Sequence, residues 1–358
     1  MKNQGKIVYL EGRPQAHPMH RRLAQAVGCE IDFVDTHVRW QDLNRGFLFN
    51  LFAWISNARF LAKKYRDCDC FLIDNLHFTP IIMNFFFKKK KKMIVHLGSH
   101  TLYFMYSNRF SYFNNLLHKF FLSKYDALIC EGEMAAVLVR NILSKRAPKS
   151  FVVFNGIPNE HLSYSVLPDL RSKKILFLGN GPGKERLWYK GLDLMIEAFE
   201  IALRSDPYLQ FIIVGNWEKE IIDELLCTCT KEAQRAIFFK NATPDLSNLL
   251  KECSLNLHCA RGEAYGVTIL IALANGLPAI VSEWTGAKEV VSQVDDRLVA
   301  RLDAEEIAKK VLWYMNLKQE EKSILSLKGA SIASHYTEKN ATIFYQTTLT
   351  KIYRELNL

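Results

Sequence analysis

Short apolar runs rich in β-branched residues alternate with segments of helical periodicity along almost the whole chain, and this alternation most restricts the fold. In the first half, residues 6–10, 29–34, 70–74, 93–96, 126–130 and 151–154 read as strands. Residues 47–65 lie between two of them and carry apolar side chains at 47, 48, 51, 52, 55 and 60, a helical spacing. The second half continues the pattern with strands at 174–178, 211–214, 237–239, 255–258 and 279–282. Its helices are expected from 192, over 246–251, 267–274 and 304–314, and over 341–356. Strands separated by helices are joined by crossovers, so they pair in parallel with helices on both faces. The expected fold class is α/β, with doubly wound parallel sheets.

At 358 residues and 49% apolar composition the chain can bury two substantial cores. One core is disfavoured, because single cores stop growing beyond roughly 250–300 residues. No apolar run approaches the roughly 20 residues needed to cross a bilayer. The first six residues lead into only four apolar ones, so neither a spanning helix nor a signal peptide is expected. The eight cysteines include Cys68-x-Cys70 and Cys227-x-Cys229 but no Cys-x-x-Cys pair, which argues against a zinc or redox motif and for a reducing cytoplasm.

The net charge of +10 is uneven. Residues 1–165 hold 23 Lys+Arg against 12 Asp+Glu, and residues 166–358 hold 24 against 25. All the excess therefore lies in the first half, as on a surface that meets nucleic acid or the anionic face of a membrane. Five lysines, 88–92, follow Phe85-Phe86-Phe87. Residues 102–124 mix Tyr103, Phe104, Tyr106, Phe110, Tyr112, Phe113, Phe120 and Phe121 with Arg109, His118, Lys119 and Lys124. Such a segment suits an interfacial helix with rings at the headgroup boundary and cations toward anionic lipid. It equally suits a core-facing helix, and the lysine run equally suits a helix C-terminus whose dipole it complements.

Two loops could carry chemistry. Residues 258–291 read as strand, loop, helix, strand, with Glu263 between Gly262 and Gly266 and the helix stopped by Asn275-Gly276. A carboxylate at a strand's end, beside the amides of a starting helix, is either a ligand site or a cap. After strand 174–178 comes Gly179-Asn180-Gly181-Pro182-Gly183-Lys184-Glu185-Arg186, then Lys190-Gly191. Glycines there allow backbone to approach phosphate closely. Gly12, between strand 6–10 and a helix around 20–27, makes a weaker version of the same arrangement. Asp67-Cys68-Asp69 precedes a strand instead of ending one, so no metal bridge to a diphosphate and no metal ligand is expected.

These motifs resemble the retaining glycosyltransferases of family 4 (glycosyl transferases group 1), which have the GT-B fold. The donor-binding pattern there is Glu-Gly-Phe-Gly with a second Glu eight positions after the first. Glu263-Ala264-Tyr265-Gly266 matches its first half, and Ile271 stands where the resemblance implies a ribose-holding carboxylate. Asn155-Gly156-Ile157-Pro158 resembles the turn that closes the family's first domain. The implied organisation is a Rossmann-like acceptor domain over 1–160, a linker to about 172 and a Rossmann-like nucleotide-sugar domain over 173–340. The two would face a cleft, and a C-terminal helix in 341–358 would cross back to the first domain.

Lys190 resembles the family's diphosphate-binding lysine, and Glu263 is implied to bind a donor-sugar hydroxyl. His96 matches a histidine that faces the donor sugar. These three are the expected catalytic residues. The amides of Ala264, Tyr265, Gly266 and Val267 are implied to meet sugar or phosphate. Asn180 replaces a family arginine, with Arg186 as its substitute, and Gly12 completes the donor-binding set. His100, His17 and His20 are weaker candidates, the last two near the acceptor, and Glu289 is expected to be structural.

The resemblance implies a retaining, metal-independent hexosyltransferase that needs no cofactor beyond a UDP- or GDP-linked sugar. Its mechanism would be front-face attack, with the leaving phosphate taking the acceptor's proton. The basic, aromatic first half adds a lipid-linked or cell-surface glycan acceptor and peripheral contact with the inner face of the cell membrane. Two other classes stay open. One is a catalytically silent GT-B-like scaffold, suggested by Ile271 and Asn180. The other is a basic nucleic-acid-binding protein, suggested by charge alone without a base-reading module.

Overall fold

The computed structural model describes residues 6–12, 18–34, 46–98, 100–162, 167–181 and 183–358. His17 lies outside these residues. The chain forms two compact units, one of Met1–Val153 with Ala341–Leu358, the other Phe154–Asn340. The first unit thus ends at Val153, ahead of the expected 160, and the described residues of the expected linker fall inside the second.

The first unit is built on strands β1 (Ile7–Glu11), β2 (Glu30–Phe33), β3 (Cys70–Asp74), β4 (Lys92–Leu97), β5 (Ala127–Glu131) and β6 (Lys149–Val153). Their order is β2-β1-β3-β4-β5-β6, and every pairing is parallel. Every residue of β3 and β5 is buried, as a parallel sheet covered on both faces requires. Helix Pro18–Ala26 packs Leu23 and Ala24 against Tyr9, Leu72 and Ile129 of the sheet. The last helix, Glu338–Leu356, joins the same core through Tyr345, Leu349 and Ile352, an i, i+4, i+7 stripe.

Two expectations in this unit are corrected. Residues 102–124 form two helices, Thr101–Tyr106 and Tyr112–Leu122, because Asn108 turns left-handed and Ser111 caps the second helix by accepting from the Asn114 amide. The aromatic residues divide accordingly. Tyr103, Phe104 and Phe121 are buried, whereas Tyr106, Tyr112, Phe113 and Phe120 are exposed. The lysine run does not cap a helix, since helix Phe78–Met83 ends several residues before Lys88. The run forms a turn entering β4.

The second unit is built on β7 (Lys174–Leu178), β8 (Gln210–Val214), β9 (Ile237–Lys240), β10 (Leu255–His258), β11 (Ala279–Ser282) and β12 (Val299–Ala300). The order is β12-β11-β10-β7-β8-β9, again parallel throughout. Phe177, Phe211, Leu257 and Ile280 fill its core with helix residues Phe199, Leu270 and Tyr314. Helix Gln319–Ala333 was not expected from the sequence. Its apolar residues spread around the axis: Leu325 is buried while neighbouring Ile324 and Leu327 are exposed, so no stripe marks it.

No helix among the described residues is long and apolar enough to cross a membrane. The packing of the last helix makes a direct prediction. Leu349→Ala should cost about 2–5 kcal/mol, as large-to-small changes in a packed core do. Exposed Ile343→Ala should stay within about 0.5 kcal/mol. Amide hydrogen exchange should then accelerate in β1 and β5 for Leu349→Ala and remain unchanged in β7.

Candidate functional site

In the second sheet, chain order runs outward in both directions from the neighbours β7 and β10. Loops leaving the carboxyl ends of such a pair flank the crevice where open α/β sheets bind ligands. The two loops singled out from sequence leave these two strands. The loop after β7 is shorter than expected, because residues Lys184–Lys190 form a helix of their own.

Lys190, the last residue of that helix, forms an ion pair with Glu263. Both side chains are largely withdrawn from water, at 8% and 14% exposure. Their meeting depends on Gly191, which follows in the left-handed region at φ 69° and passes so close to β10 that any Cβ would collide with the Cys259 carbonyl. Gly286 is similarly confined, against the Ala264 carbonyl, and its amide donates to the Glu263 carbonyl at 2.9 Å. The Ala287 amide donates to the Tyr265 carbonyl at 2.7 Å. The Glu263 loop is thereby tied to the segment after β11, and Gly266 then starts helix Val267–Ala274.

Arg261 adds a brace that sequence reasoning missed. It donates to Asp193 through its two terminal guanidinium nitrogens, at 2.6 and 2.9 Å, and to the Trp188 carbonyl at 2.7 Å. The backbone on either side of Lys190 is thus fixed to the strand exit that carries Glu263. His258 was missed too. It ends β10, is buried, and places Nε2 3.5 Å from the Glu263 carboxylate. A histidine closing a strand five residues before a loop carboxylate is the signal that marks it.

Burial alone would raise the Glu263 carboxyl, but the Lys190 ammonium and the nearby His258 hold it well below the usual carboxylate range. For Lys190, burial lowers the ammonium, Glu263 opposes that, and Arg186 lowers it further. Burial also lowers the His258 imidazole, which favours its neutral form. The site is therefore a carboxylate and an ammonium paired at low dielectric, with Arg186 one helical turn before Lys190.

Arg186 donates through Nε to the Asn180 carbonyl at 3.1 Å, which brings it to the loop position where the arginine was expected. Asn180 itself accepts through Oδ1 from the Asn216 amide, 2.8 Å away, and ties the β7 loop to the β8 loop. Ala264 and Tyr265 are buried beside Glu263. Ile271 belongs to the apolar core at 4% exposure, so no carboxylate stands there.

The first unit holds a different cluster. Glu11, Asp74 and Glu131 end β1, β3 and β5, and His96 lies near the end of β4; all four are buried. The sequence reading named His96 but not the carboxylates. Gly12 follows β1 and packs against the His77 ring. His20 bridges two acids, with Nδ1 2.6 Å from Asp74 and Nε2 bonded to Glu131. Carboxylates only accept, so both ring nitrogens donate and His20 is an imidazolium. Burial alone would lower it, but Glu131 and Asp74 push it up to about 10. The His96 ring stacks on it at 3.8 Å, with Nε2 3.6 Å from Glu131.

His20, His96 and Glu131 offer three ligand atoms within 4.8 Å of one another, a possible grouping for a metal ion. The fit is poor. Rings stacked at 16° direct their nitrogens side by side instead of toward one point, and His20 would first have to lose a proton. His100 stands at the start of helix Thr101–Tyr106 with its ring against Phe104, and Glu289 lies in the first turn of helix Lys288–Val294.

Comparison with known proteins places these loops in context. Residues 172–316 match the family model of the glycosyl transferases group 1. No curated protein matches the chain by sequence. Among solved structures, HepE of Anabaena in complex with UDP and glucose is similar with a TM-score of 0.69 at 14% identity, over 98% of this chain and 99% of that one. Sucrose-phosphate synthase from Thermosynechococcus elongatus is similar with a TM-score of 0.71 at 16% identity, over the same shares. A glycosyltransferase from Rickettsia africae gives 0.65 at 14%, over 98% of each chain. These likenesses show a GT-B fold.

The depressed Glu263 carboxyl sets the sign of a pH effect. Its ionised form contributes stability that is complete above the ordinary carboxyl value and is lost as the pH falls through the folded value. The stability gap between wild type and Glu263→Gln should be widest near neutral pH, begin to narrow below about pH 4, and keep narrowing as the pH falls further toward the depressed folded value. At neutral pH Lys190→Met, which strands the Glu263 charge, should cost about 3–5 kcal/mol. The double variant should cost less than the sum of the two single changes, as denaturant titrations of the four proteins would measure.

Proposed function

We propose that this chain, whose residues 172–316 match the glycosyl transferases group 1 and whose fold is similar to that of HepE, is a glycosyltransferase that moves a hexose from a uridine diphosphate sugar to a glycan acceptor with retention at the anomeric carbon. The observation that carries this reading is the buried Lys190–Glu263 pair where β7 and β10 diverge. A bound donor diphosphate takes over the charge of Lys190. Glu263, released from its close partner, then accepts from a sugar hydroxyl. Lys190, Arg186 and the amides at the start of helix Val267–Ala274 stabilise the leaving phosphate without a metal ion.

The choice of uridine is supported by HepE, found with UDP and with UDP-glucose, and by an E. coli protein bound with UDP-2-fluoro glucose. Retention in this reading is front-face attack, in which the departing phosphate oxygen accepts the proton of the acceptor hydroxyl as the new glycosidic bond forms. Ile271 means that the ribose is held by something other than a carboxylate at that position. His96 is completely buried beside His20 and Glu131, so contact with a sugar would require that cluster to open. The proposal therefore rests on Lys190 and Glu263. The acceptor is assigned to a lipid-linked or cell-surface glycan at the inner membrane face, on the strength of the basic first half.

A catalytically silent scaffold keeps one observation in its favour, the apolar Ile271. A thermal-shift series with UDP, GDP and CMP separates the readings, since a ligand of the folded state raises the melting point. UDP should raise it most. Lys190→Ala and Glu263→Ala should lower sugar transfer or donor hydrolysis by about 100-fold or more, and NMR of the product should give an unchanged anomeric configuration. Binding without turnover would favour the scaffold, and no shift with any nucleotide would end the donor-site reading.

A further inference from the structure

The lysine turn of the first unit plays no part in the transfer site, yet it is built with care. The Asn84 side chain accepts from the Lys91 amide at 2.9 Å and donates to the Lys91 carbonyl at 3.1 Å, closing residues 84–91 into a braced loop. The brace presents Lys88, Lys89 and Lys90 to solvent together with Phe85 and Phe86, which are 81% and 43% exposed. Large exposed rings are costly in water and informative when they cluster.

They do cluster. Helix Tyr112–Leu122 exposes Tyr112, Leu116 and Phe120 at i, i+4 and i+8, a single apolar face. Between this helix and the lysine turn runs a groove of about 550 Å³. Ile81, Ile82 and Phe121 line it beside Phe85 and Phe120, and its polar lining is Lys90, Lys91 and Lys124 with Asn84 and the Lys92–Asp126 ion pair, in which the one carboxylate is already matched by a lysine at 2.9 Å. On the other side of the same turn, Arg59, Lys63 and Arg66 join Lys88 and Lys89. Lys124 lies over the Phe120 ring at 4.9 Å, which keeps its charged end beside the apolar face.

Cations around an aromatic and aliphatic groove complement an amphiphile that has an anionic head and a hydrocarbon body. Nucleic acid would complement the charge but not the aliphatic lining, since bases stack on ring faces. We propose that this groove seats the anionic phospholipid surface of a membrane, with lipid phosphates at Lys90, Lys91 and Lys124 and the acyl boundary at Phe85, Leu116 and Phe120. The assignment deepens the membrane-facing part of the function proposed above and uses none of the donor-site residues.

Flotation of the full-length protein with vesicles of phosphatidylcholine, alone or mixed with phosphatidylglycerol, tests it. Wild type should float only with the mixed vesicles, and added salt should weaken the binding. Lys90→Glu/Lys124→Glu should weaken it about tenfold or more. Phe85→Ser/Phe120→Ser should also weaken it but leave the salt dependence in place. Wild-type circular dichroism melts for both variants would show that they fold. Equal binding to both vesicle types, absence of binding, or variants that float like wild type would overturn the proposal. So would salt-sensitive binding to single-stranded RNA by a protein that ignores vesicles. Loss of the donor reading would look different: UDP would not stabilise a protein that still floats with mixed vesicles.

Discussion

The second unit depends on a charge pair that is largely withdrawn from water. A lone ammonium or carboxylate buried to the degree of Lys190 or Glu263 would carry a desolvation cost of several kcal/mol, so each requires the other. Neither lies on an element that could find its partner by local geometry, because 73 residues separate them. Three constraints bring them together: Gly191 pressed against the Cys259 carbonyl, Arg261 clamped to Asp193 and Trp188, and the Gly286-Ala287 amides bound to the Glu263 loop. The backbone around the pair is therefore fixed independently of the two charges.

The first unit solves a similar problem differently. Three strand-end carboxylates, Glu11, Asp74 and Glu131, are buried near one another, and His20 answers two of them as an imidazolium. This cluster sits at the carboxyl end of the first sheet, while the lysine turn enters β4 at the amino end. The buried carboxylate cluster and the lysine turn thus lie at opposite ends of one sheet. The net surplus of positive charge in residues 1–165 does not disclose this, because composition sums over both ends.

Much of the architecture was legible because its signals are local. Strand β7 carries an apolar run that Gly179 ends, helix Val267–Ala274 is almost wholly apolar and stops at Asn275-Gly276, and β11 is a short apolar strand entered from Pro278. Less legible were elements whose identity depends on neighbours. Residues 102–124 have continuous aromatic composition, yet Asn108 and Ser111 break them into two helices. Helix Lys184–Lys190 was hidden by the glycines before it, and helix Gln319–Ala333 by apolar residues facing water.

By itself the sequence determined that strands and helices alternate, that the sheets are parallel, and that Glu263 lies on a loop leaving a strand end. Those facts follow from side-chain period and turn chemistry, which act over a few residues. Only the tertiary structure decided that Lys190 and Glu263 form one buried pair, that His258 stands beside them, that Ile271 joins the core, and that His96 is enclosed by His20 and Glu131. Contacts of that kind are set by sheet order and by which backbones can approach without a Cβ between them, and neither quantity is written in any short stretch of the chain.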